Sequence, residues 1–107
     1  MITKIIQNGN SKNGLQLLPV ENVTSMTVVF DVEKSRDEFV SQFPKSLKIK
    51  TGTMSSMEGT FPCALIYTVI PKNQHGKING VTGEKNEGGE KRIIKFYTAL
   101  QIQLTNQ

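Results

Sequence analysis

Hydrophobic positions gather in short runs rich in Val, Ile, Thr and aromatics, separated by Gly, Asn and Pro. That pattern belongs to an antiparallel β domain rather than to alternating strands and helices. It predicts strands at Ile2 to Gln7, Leu15 to Val20, Thr24 to Val32, Ser46 to Thr51, Phe61 to Ile70 and Ile93 to Leu104. Asn8-Gly9 and Asn13-Gly14 read as turns, because both residue types tolerate positive φ. The first two strands should therefore form a hairpin or a kinked pair. One short helix is expected from Ser35, which can cap it. Asp37 and Glu38 would sit in its first turn, Phe39, Val40 and Phe43 would form its apolar stripe, and Pro44 would stop it.

Alternation assigns faces. In the last predicted strand Ile94, Phe96, Leu100, Ile102 and Leu104 share one side, and Lys95, Tyr97, Gln101 and Gln103 share the other. Ser46 to Thr51 repeats the scheme, with Leu47 and Ile49 inward and Lys48 and Lys50 outward. By contrast, Phe61 to Ile70 is apolar on both faces, as expected of a central strand or of one covered by a second copy.

Between the last two runs lies Lys72 to Arg92, which holds five of the nine glycines and five of the thirteen basic residues. Loops longer than about 12–15 residues in so small a protein are usually functional or disordered, so this stretch is read as a long flexible hairpin and a binding surface. Its Gly76, Gly80 and Gly83 match neither the dinucleotide fingerprint nor a phosphate loop ending in Lys-Ser/Thr, and no helical pattern follows them.

The length of 107 residues fits a single domain, 1–107, able to bury a core without staples. Cys63 is the one cysteine, so no internal disulfide or multi-cysteine zinc site can form, and its apolar setting makes it a buried structural thiol. The start, Met-Ile-Thr-Lys-Ile-Ile, lacks the apolar core of a signal peptide, and no run reaches membrane-spanning length. A cytoplasmic location and no membrane partner are expected. His75, the one histidine, stands in the glycine-rich loop without a cysteine or carboxylate close in sequence, so no metal site is expected. Asp31, Glu33, Asp37, Glu38 and Glu58 show no pairing that would mark acid–base catalysis. No cofactor and no enzymatic activity are expected.

What remains is charge. A net charge of +4 and a pI near 9.3 favour a polyanionic partner. Single strands are bound by positive grooves that track the backbone and by aromatic side chains on which bases stack. Lys48, Lys50, Lys95 and Tyr97 could supply the strand face, and Lys72, Lys77, Lys85, Lys91 and Arg92 the phosphate contacts of the loop. The competing reading is a small phage or bacterial protein-binding module, or an inhibitor of a host protein, suggested by the two-sided apolar run Phe61 to Ile70.

The layout of five or six short strands, a mid-chain helix at Ser35-Arg-Asp-Glu-Phe-Val-Ser-Gln-Phe43 and a long basic loop before the last strand resembles a compact OB-fold. In scale the chain is similar to the small single-stranded-DNA-binding proteins of bacteriophages. The resemblance implies a mainly β, antiparallel Greek-key barrel with DNA across its strand faces, a role in DNA replication within a bacterial host, and a homo-oligomer, dimer or tetramer. The chain departs from the cellular members of that family in lacking tryptophan and an acidic tail, since it ends Gln103-Leu-Thr-Asn-Gln107. Recruitment of repair partners through such a tail is not expected.

Overall fold

The computed structural model describes residues 1–12, 14–67 and 89–106. Among the described residues four strands form one antiparallel sheet: β1 (Ile2–Gln7), β2 (Ser25–Phe30), β3 (Lys50–Ser56) and β4 (Gly59–Tyr67), in the spatial order β1-β2-β4-β3. Helix α1 (Glu33–Ser41) carries the chain from β2 to the far edge at β3, and β3 and β4 make a hairpin. Helix α2 (Gly89–Thr105) is the last element. The antiparallel β character and the strands at 2–7 and 25–30 agree with the hydrophobic pattern.

Strand β1 contains a register shift between Ile2 and Lys4. A bulge of this kind lets Ile2 and Ile5, three residues apart, share the core face, which a regular strand would not allow. At its end Asn8 (φ 55°) and Gly9 (φ 77°) both take the left-handed conformation of a two-residue turn. Gln7 and Asn10 exchange two backbone hydrogen bonds of 2.9 Å across it. The pairing then stops, and the strand expected at Leu15 to Val20 is absent. Instead the buried Gln7 amide holds that segment as a partner strand would: its Nε2 donates to the Gln16 carbonyl at 2.9 Å, and its Oε1 accepts from the Leu18 N–H at 2.7 Å. Asn8 sets the start of β2, accepting from the Thr24 N–H at 2.7 Å and donating to the Asn22 carbonyl at 2.8 Å.

Helix α1 lies where the sequence predicts one, but its N-cap is Val32 and no side chain caps it. Ser35 is drawn inside the helix and accepts a hydrogen bond from the Met1 ammonium at 2.9 Å, beside a 2.7 Å ion pair of the same ammonium with Asp31. That ammonium lowers the Asp31 carboxyl below its ordinary value. Phe39 meets Phe30, Phe43 and Phe96 at centroid distances of 5.6, 5.4 and 5.4 Å, and Phe43 stacks on Phe96 at 5.7 Å. This aromatic cluster joins both helices to one face of the sheet, where Met26, Val28, Phe30, Ala64 and Ile66 complete the core.

The segment predicted as the last strand is the helix α2. Ile93, Phe96 and Leu100 are buried, with Tyr97, Ala99 and Leu104 packed beside them, whereas Ile94 is 50% exposed and Ile102 61% exposed. Spacing of three and four along 93, 96, 97, 100 and 104 is a helical stripe, and residues 90–105 contain no Gly or Pro. A helix closes its backbone hydrogen bonds within itself, so this segment needs no free sheet edge. Consequently the described strands do not close: β1 and β3 are edges of an open sheet, and the expected barrel is not formed by them. The other strand boundaries shift as well. Lys45–Leu47 is a 3-10 turn, Lys48 adopts φ 54°, and β3 begins only at Lys50. Of the run to Ile70, residues 68–70 lie outside the described residues, as do residues 72–88 of the expected loop.

Candidate functional site

Because successive side chains of a strand point to opposite faces, the positions that alternate with the core form a second face, away from both helices. The register places Ser25, Thr27 and Val29 of β2 beside Tyr67, Leu65 and Cys63 of β4. Lys50, Gly52, Met54 and Ser56 of β3 flank Leu65, Cys63, Phe61 and Gly59. Lys4 and Ile6 of β1 complete the row on the other side.

Two features mark the ends of this face. At one, Tyr67 is 38% exposed and the Lys50 ammonium lies 5.6 Å from its ring centroid. At the other, a groove of about 180 Å³ is lined by Thr3, Lys4, Val29, Met54, Ser56, Glu58 and Phe61. Along β4 the six steps from Phe61 to Tyr67 span about 20 Å at the usual strand rise. Between the two ends lies Gly52. A Cβ built there would meet nothing within 4 Å, and its φ is not positive. Neither conformation nor crowding requires glycine at that point, and its effect is to leave bare backbone open to close approach. From the helix side the Arg36 guanidinium donates to the Gly52 carbonyl at 2.9 Å, which fixes that backbone.

Cys63 is buried, as its apolar setting predicts. Burial pushes its thiol above the ordinary value, with the Arg36 charge pulling weakly the other way. It is therefore a poor nucleophile at neutral pH. Among the described residues no group of three His, Cys, Asp or Glu side chains is placed to hold a metal ion. No described helix is long and apolar enough to cross a membrane.

The residues singled out from sequence scatter. Among those that are described, Lys50 alone stands on the open face. Lys48 is exposed but lies ahead of β3, and Lys91 and Lys95 are exposed on α2. Tyr97 is not on a strand at all; it packs against the core and its hydroxyl donates to the Leu18 carbonyl at 2.6 Å. Arg92 is only 3% exposed, with its guanidinium given to the carbonyls of Leu47 (2.6 Å), Tyr67 (2.7 Å) and Lys48 (3.3 Å). Burial lowers its pKa from the usual arginine value. Lys72, Lys77 and Lys85, with His75, lie outside the described residues. Tyr67, Phe61 and Lys4 were missed. For the two aromatics the signal was present, since the second apolar face of the Phe61 run contains both at even spacing.

No protein-family model, no curated protein and no solved structure matches the chain.

Proposed function

We propose that the chain binds single-stranded nucleic acid, single-stranded DNA in the first instance, on the open face of its sheet and without catalysis. The observation that carries this reading is the pairing of an exposed aromatic ring with a lysine on an open four-stranded sheet, Tyr67 with Lys50, in line with Phe61 and Lys4 about 20 Å away. Open four-stranded sheets bind single strands by stacking bases on exposed aromatic side chains, and lysines beside the rings meet the phosphates. The bare backbone at Gly52 lets a strand lie close between the two ends. A net charge of +4 supports the same partner. Lys72, Lys77 and Lys85 remain proposed phosphate contacts, and the barrel is replaced in this reading by a flat platform.

A second reading has its own observation. Met54, Phe61 and Leu65, each half-buried, make the accessible middle of this face apolar, which suits a protein surface, either a host protein or a second copy of the chain. Titration of labelled oligo(dT) and oligo(U) at low and moderate salt separates the two. The nucleic-acid reading predicts length-dependent binding that weakens with salt by about 0.7 log units per phosphate contact for each log unit of salt. Absence of binding to both at low salt overturns it.

A further inference from the structure

We infer that the groove at the Phe61 end of the open face is a subsite that reads one guanine base. The inference rests on the single-strand reading and adds a specificity to it. At about 180 Å³ the groove is smaller than drug-sized sites of roughly 300–1,000 Å³, which suits one flat ring system. Val29, Met54 and Phe61 give it apolar surface, and Phe61 offers a ring for stacking.

The polar groups on its rim decide which base. The two hydroxyls are already engaged: Thr3 donates to the Val29 carbonyl at 3.3 Å, and Ser56 donates to the Gly59 carbonyl at 3.4 Å while accepting from the Glu58 N–H at 3.2 Å. The last contact ties the Glu58 backbone to the groove. Lys4 and Glu58 are different, since among the described residues neither has an ion-pair partner. One groove therefore presents a carboxylate and an ammonium that no described residue neutralises. A carboxylate repels phosphate, so on a face that binds a polyanion its place is at a base edge.

Guanine alone among the bases offers two adjacent N–H donors on its Watson–Crick edge, N1–H and N2–H, with the acceptor O6 next to them. The two oxygens of Glu58 can accept from both donors, and the Lys4 ammonium can donate to O6, so each contact is charge-assisted. Adenine and cytosine present one donor beside a ring-nitrogen lone pair, which would face the carboxylate. Thymine and uracil present one N–H between two carbonyls, so a carboxylate oxygen meets a carbonyl oxygen.

The test is fluorescence anisotropy with thymidine oligonucleotides carrying one central dG, dA or dC, set against the all-thymidine strand. The wild-type protein should bind the dG strand about tenfold or more tighter than the other three. Glu58→Gln should abolish that preference, bringing the dG strand to the affinity of the other three, while Lys4→Met should reduce the preference. Equal affinity for all four strands, or a dG preference that survives Glu58→Gln, overturns the guanine subsite while the single-strand reading stands. If no strand binds at all, both readings fall.

Discussion

Lys50 carries its ammonium 5.6 Å from the centroid of the Tyr67 ring, a contact made diagonally across the β3–β4 pair. Lys50 stands opposite Leu65, and Tyr67 follows two residues later on the same face, the diagonal relation within reach of long side chains. At such an exposed site the cation–π attraction is worth about 0.5–1 kcal/mol, too little to hold the lysine against a phosphate. Under the proposed function, a base stacked on Tyr67 would find this cation already beside it.

Tyr67→Ala should weaken single-strand binding by about 1–3 kcal/mol through loss of one stack, while Tyr67→Phe should keep most of the affinity. Lys50→Ala should weaken binding to all sequences alike and reduce the salt slope by about one contact. Titrations with labelled oligo(dT), alongside circular dichroism to verify the fold, measure both. Unchanged affinity in the two alanine variants would remove the platform from consideration.

Phe96→Ala should destabilise the fold by about 3–5 kcal/mol, because the ring lies in the aromatic cluster and leaves a cavity behind. Ile94→Ala should change stability by less than about 0.5 kcal/mol, since its side chain is half in solvent. Urea melts of the two variants distinguish a helix from a strand at 93–104: a strand would place both residues on one face and make both costly.

Arg92→Met should destabilise by roughly 1–3 kcal/mol for each carbonyl left without a donor in the interior. Arg92→Lys should recover only part, because an ammonium cannot reproduce the fork that spans Leu47, Lys48 and Tyr67. Denaturant midpoints give the order wild type, Arg92→Lys, Arg92→Met, and an unaltered midpoint in the methionine variant would contradict the buried clamp.

Cys63 connects stability to alkaline pH. Its thiol is raised in the folded protein from an ordinary value of 9.0, so above about that pH the unfolded chain loses a proton that the folded chain keeps, and the unfolded state is favoured. The contribution is fully present at neutral pH and fades as pH climbs through the folded thiol's own pKa. Cys63→Val should therefore show a shallower loss of melting temperature between pH 8 and 10 than the wild type. Equal slopes would refute the assignment.

Local elements whose patterns admit one reading are already set by the order of residues. Ile2 to Gln7 is rich in β-branched residues and ends in Asn8-Gly9, two residue types that tolerate positive φ and so favour a turn, and Phe39 and Val40 shortly before Pro44 mark the end of a short amphipathic helix. The order of residues also determined that Cys63 and Phe96 belong to the interior. Where the pattern leaves two readings equal, long-range packing made the choice. From Ile93 to Leu104 the apolar residues satisfy periods of two and of three to four together. Packing against Phe39 and Phe43, with the guanidinium of Arg92 buried at the N-terminal end, selected the helix and left the sheet open. At Leu15 to Val20 the buried amide of Gln7 took the hydrogen bonds that a strand would have made. Function follows the same division. The lysines were visible as residues, but which lysine stands beside which ring is a matter of register. The pairing of β3 with β4 brought Lys50 to Tyr67, and the fold turned Tyr97 inward to Leu18.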